Sequence, residues 1–105
     1  MQDNPQISFD EGVQAYERGD FARAAEILRP IAEQGFAAAQ TNLGIIYLKG
    51  HGVPQDDVEA VRWVHRAAGQ GEVVAQYPLG IRYAEGRGVP QDYVEAMRAY
   101  PLAAD

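Results

Sequence analysis

Cysteine is absent from all 105 residues, which excludes disulfide cross-links, thiol nucleophiles and cysteine-based zinc sites. Basic residues are scarce as well. Nine Lys and Arg stand against fifteen Asp and Glu, a net charge of −6 and a pI near 4.8. Nucleic-acid partners need clustered Lys and Arg to neutralise phosphates, so none is expected, and an anionic membrane surface is disfavoured for the same reason. No apolar run approaches the ~20 residues needed to span a bilayer, so membrane insertion is not expected. The opening "MQDNPQ" has neither a basic start nor an apolar segment. The chain is therefore expected to be cytoplasmic, or exported with its signal removed.

Catalytic and metal-binding signals are equally thin. Of the two histidines, His51 falls in a turn and His65 on a helix with no His or Glu at metal-ligand spacing. Both read as solvated side chains, and no metal or cofactor is expected. "KGHG", Lys49 to Gly52, lacks the Gly-Lys-Ser/Thr ending of a phosphate loop and the third glycine of a dinucleotide fingerprint. Acidic pairs such as Asp56 with Asp57 would suggest acid-base chemistry only in a cleft. No catalytic residue is assigned, and the chain is not expected to be an enzyme.

What the chain does contain is a repeat. "GHGVPQDDVEA" from Gly50 returns as "GRGVPQDYVEA" from Gly86, an offset of 36 residues. Without a gap, that offset also pairs Ala39 with Ala75, Gln40 with Gln76, Leu43-Gly44-Ile45 with Leu79-Gly80-Ile81, and Tyr47 with Tyr83. Internal periodicity of this length is the signature of a repeat architecture. The N-terminal third reads as a degenerate copy: Asp20, Ala24 and Ala32 lie 36 before Asp56, Ala60 and Ala68, whereas Gly12 lies 32 before Gly44. Its turn, "RGDF", should be four residues shorter. The copies fall at about 5–35, 36–71 and 72–105.

Ala39, Leu43, Gly44 and Tyr47 form one helical stripe, and Ala60, Val64, Ala67 and Ala68 a second, so each copy is a pair of helices. In the turn between them, Gly50 suits a left-handed helix stop, Gly52 relieves crowding, Val53 tucks inward and Pro54 prevents the helix from continuing. Asp56 with Glu59, and Asp92 with Glu95, have capping-box spacing. Ser8 with Glu11 is another candidate, although Asn4-Pro5 could also open the first helix. The expected fold is all-α: a right-handed α-α superhelix of about three antiparallel helix pairs in a single domain.

The stretch "AAAQTNLGIIYLKGHGVPQDDVEAVRWVHRAA", Ala37 to Ala68, resembles a Sel-1-like repeat, the longer-looped relative of the tetratricopeptide repeat. The first third is similar to a shorter, tetratricopeptide-like copy. The resemblance implies an α-solenoid with a non-catalytic scaffolding or adaptor role, binding a protein or peptide through its concave face. Some cysteine-rich members are associated with β-lactam binding, but a hydrolase reading is remote here: the chain has no cysteine and no Ser-Lys or Ser-His arrangement. A third reading makes the chain a structural end of a larger regulatory repeat protein.

If the copies stack as in tetratricopeptide arrays, the first helix of each pair lines the concave side. Phe9, Val13, Tyr16 and Glu17 then face a groove with Thr41, Ile45, Leu48 and Lys49, and with Tyr77, Ile81 and Glu85. The set suits a peptide with aromatic or aliphatic anchors. The alternative is that neighbouring helices bury these side chains against one another. Trp63, whose counterpart is Ala99, reads as packing between helix pairs.

Two prolines break the pattern. Pro78 and Pro101 fall inside expected helices of the last copy, where each removes a donor at roughly 3 kcal/mol. The helix after Glu72 should kink or start late, and the last helix should break near Tyr100. The last copy also presents Tyr93, Met97, Tyr100 and Ala104 on one face, where self-association or a further copy would cover them.

Overall fold

The structure is a computed structural model that describes residues 4–99 and the course of the last helix. Six helices follow one another: α1 (Pro5–Glu17), α2 (Phe21–Glu33), α3 (Ala37–Lys49), α4 (Asp57–Gly69), α5 (Val73–Glu85) and α6 (Tyr93–Ala104). There is no strand among the described residues. The main packing runs in chain order, each helix against the next, and the result is an elongated body of 44 × 26 × 19 Å. This is the all-α solenoid of three helix pairs.

Register follows the sequence closely. α3 and α5 begin 36 residues apart, as do α2 and α4, while α1 begins 32 before α3. The difference lies in the first connection, residues 18–20, against 50–56 and 86–92 in the later pairs. Gly50 and Gly86 close the first helices in the left-handed conformation at φ 69° and 67°. The Gly50 amide donates to the Ile46 carbonyl at 2.8 Å, which satisfies a carbonyl the helix end would leave open.

The second helices start on side-chain caps. Asp56 accepts from the Glu59 amide at 3.1 Å, and Asp92 from the Val94 and Glu95 amides at 3.0 and 3.1 Å. The reciprocal half of the expected capping box does not form, because the amides of Asp56 and Asp92 already donate to the carbonyls of Tyr47 and Tyr83 at 3.0 and 2.8 Å. Glu59 and Glu95 turn instead to Arg62 and Arg98. At the first helix Asn4 is the cap, accepting from the Gln6 amide at 2.9 Å with Pro5 at the first helical position. Ser8 lies inside α1.

The late start expected after Glu72 does not occur: α5 runs as one helix from Val73 through Pro78. Pro78 deprives only the carbonyl of Val74 of its helical partner, and Val74 is exposed, on the side where water can replace the bond. Nor does the break expected near Tyr100 and Pro101 occur: α6 runs as one helix from Tyr93 to Ala104.

Two buried clusters hold the pairs together. One joins Ala15, Leu28, Leu43, Ile46 and Trp63 across the first two pairs; the other joins Val61, Val64, Ala67, Ala75 and Leu79 across the last two. Small residues set the spacing. A Cβ on Gly44 would fall 2.6 Å from Val64 Cγ1, so this glycine lets α3 and α4 approach backbone to side chain. The turn glycines join one pair to the next: a Cβ on Gly52 would lie 2.4 Å from the Ala22 amide nitrogen, and one on Gly88 2.4 Å from the Asp57 carbonyl oxygen. Each long turn thus rests on the first turn of the second helix of the preceding pair. Gly52 and Gly88 are there because no side chain fits.

Candidate functional site

Because α1 packs on α2 and α2 on α3, α2 forms the floor between the two first helices. A cavity of about 220 Å³ opens there, lined by Val13 and Tyr16 of α1, Leu28 of α2, and Asn42, Ile45 and Lys49 of α3. The floor is apolar and the rim carries one amide, one phenol and one ammonium group. Such a lining fits an aliphatic or aromatic anchor with a polar flank.

The rim is braced by the turn after α3. Tyr16 Oη lies 2.8 Å from His51 Nδ1, and the His51 ring stacks on Phe21 with centroids 4.5 Å apart at 20°. His51 is half-buried, which corrects the expectation of a solvated side chain: Gly50 and Gly52 fold the turn back over α2 and carry the imidazole onto Tyr16 and Phe21. The bond orients the phenol while leaving one face of Tyr16 on the cavity. His65 is exposed. No group of three or more potential metal ligands occurs among the described residues, nor does a helix long and apolar enough to cross a membrane.

The structure brings together Val13, Tyr16, Ile45 and Lys49 of the residues expected to face the groove. It withdraws others. Thr41 is 2% exposed, its hydroxyl donating to the Ala37 carbonyl at 3.2 Å and lying 3.3 Å from Glu72 Oε1 at the start of the third pair. Thr41 therefore serves the junction between pairs and offers no groove surface. Phe9 is half-buried against Phe36, with centroids 5.5 Å apart, and Leu48 packs on the same cluster. Tyr77 is exposed, Ile81 half-buried, and Glu85 paired with Arg82 at 3.2 Å. None of these three lines the cavity. Glu17 is exposed at the end of α1. Leu28 and Asn42 were not expected at the site. Leu28 enters from a second helix, which a rule confined to first helices misses, and Asn42 stands three residues before Ile45, a spacing that would have found it.

The Sel1 repeat family model matches residues 37–72 and 73–104. The chain belongs to the Sel1-repeat family. Proteins of this family generally mediate protein-protein interaction and are typically non-catalytic. The chain is similar to an F-box protein of Arabidopsis thaliana, 38% identical over 59 residues that make up 56% of this chain and 16% of that protein. Among solved structures it is similar to a protective antigen of uropathogenic Escherichia coli with an SLR fold (TM-score 0.89, 36% identity, 95% of this chain and 22% of that one). It is also similar to a Sel1 repeat protein of Oxalobacter formigenes (TM-score 0.84, 34% identity, 92% and 39%). Cysteine-rich protein B of Helicobacter pylori shares the fold at 18% identity, with TM-score 0.72 over 95% of this chain and 86% of that one. This Sel1-repeat chain thus spans well under half the length of the first two structures and about a sixth of the curated relative.

Proposed function

We propose that this Sel1-repeat chain is a non-catalytic interaction module that holds a partner peptide or protein between α1 and α3. The observation that supports this most is the apolar cavity floored by Leu28 and edged by Tyr16 and Lys49. Phe9 and Leu48 are taken up by packing, whereas Val13, Tyr16, Ile45 and Lys49 still line the cavity, which supports a groove at this end over complete mutual burial. The net charge of −6 favours a basic partner on approach. The test is a Val13→Asp, Lys49→Glu double variant, which places charge in the cavity without touching the fully buried cluster. A partner recovered from source-cell extract with the parent protein should be lost with the variant, at unchanged helicity and melting temperature. Equal recovery would overturn the groove.

A second reading, the structural end of a larger repeat protein or a self-associating face, is supported by the outer side of the third pair. Tyr93 and Met97 are exposed there; Tyr100 lies outside the described residues. Sedimentation at two concentrations distinguishes them: a concentration-dependent dimer lost in a Tyr93→Ser, Met97→Ser variant favours self-association.

A further inference from the structure

The 36-residue register allows each position of the third pair to be compared with its counterpart in the second, and one difference leaves space. Trp63 is fully buried in the cluster that contains Leu43 and Tyr47, and the Arg62 guanidinium lies 5.2 Å from its ring centroid. Thirty-six residues on, Leu79, Tyr83 and Arg98 keep the surroundings of Leu43, Tyr47 and Arg62, but Trp63 is replaced by Ala99. A cavity of about 180 Å³ lies at this place, lined by Leu79, Tyr83, Arg98 and Ala99 together with Gln76 and His65. An apolar cavity of about 150 Å³ is enough to admit a benzene ring, so the space is of aromatic size.

A hydrogen-bond acceptor is left unmet behind the lining of the cavity. In the second pair, the Gln40 carboxamide donates to the Ala32 carbonyl at 3.0 Å and accepts from Gln70 Nε2 at 2.9 Å. Its counterpart Gln76 is 4% exposed, and Gln76 Oε1 has no partner among the described residues. That oxygen is closed off from the cavity, so a guest is held by the apolar lining and by Arg98 rather than by Gln76. Burial and the nearby carboxylates of Glu95 and Asp92 raise the Tyr83 phenol above its usual value.

We propose that this cavity receives a tryptophan side chain presented by another polypeptide, its ring seated where Trp63 sits in the preceding pair, under Arg98. The site lies between α4, α5 and α6 and is separate from the groove between α1 and α3, so either can fail without the other. N-acetyl-tryptophanamide is the probe, followed by NMR on the methyl groups of Leu79 and Ala99. Saturable shifts at both methyls are expected, with none from N-acetyl-leucinamide. Ala99→Trp should abolish binding and raise the melting temperature by filling the space from within, and Ala99→Phe serves if that variant does not fold. Absence of saturable shifts in the parent protein, or shifts unchanged in a folded Ala99→Trp or Ala99→Phe variant, would overturn the site. Binding of free indole without N-acetyl-tryptophanamide would overturn its assignment to a polypeptide.

Discussion

The second and third helix pairs share a register and a turn but differ in how they are buried. Val61 is 5% exposed and its counterpart Met97 67%; Thr41 is 2% exposed and Tyr77 56%. The turn that places Gly88 on Asp57, and the α5 stripe of Ala75 and Leu79, cover the outer side of the second pair. Inside the pair, Trp63 fills what Ala99 leaves open. Burial in this fold is therefore a property of the junction between pairs as much as of the residue type, because each pair buries one side with its own helices and the other with its neighbour's.

The largest blow to that comparison comes from making the second pair like the third. Trp63→Ala removes the largest fully buried side chain and should cost roughly 3–5 kcal/mol in urea unfolding; a loss under about 1 kcal/mol would mean that Trp63 does not hold the pairs together. Next, Gly52→Ala adds a Cβ 2.4 Å from the backbone at φ 77°, combining left-handed strain with overpacking at roughly 2–4 kcal/mol. Gly71→Ala, at φ 89° with nothing within 4 Å, should lose only about 1–2 kcal/mol, the strain alone. Equal losses would show that the turn does not dock on the preceding pair. The finest contrast is Val61→Ala against Met97→Ala: roughly 1.5–3 kcal/mol for the covered valine and within about 0.5 kcal/mol for the exposed methionine. A substantial loss at Met97 would reveal a partner on the end face, which sedimentation of the same variant would locate.

Much of the fold was legible beforehand, because periodicity and turn chemistry act locally. Gly50 in the left-handed region, Asp56 and Asp92 as caps, and the four-residue difference between connections all follow from residues near one another in the chain. The late start expected from Pro78 was misjudged for a related reason: the donor deficit was counted, but its position opposite the exposed Val74 could not be. The groove was legible in part. Val13, Tyr16, Ile45 and Lys49 share a helix face that spacing alone identifies, whereas Leu28 arrives from the intervening helix and Thr41 is claimed by Glu72 of the next pair. His51 was misplaced because its partners, Tyr16 and Phe21, are thirty or more residues away.

The amino-acid sequence by itself determined the helix pairs, their turns and the family, since hydrogen-bond periodicity, glycine geometry and capping are settled within a few residues. Only the tertiary structure decided which equivalent positions meet solvent, which meet a neighbour, and where space is left over. Those outcomes depend on side chains from two or three helices converging on one volume, and Ala99 shows the difference: in sequence it is a weak match to a tryptophan, and in space it opens a cavity beside a buried carboxamide.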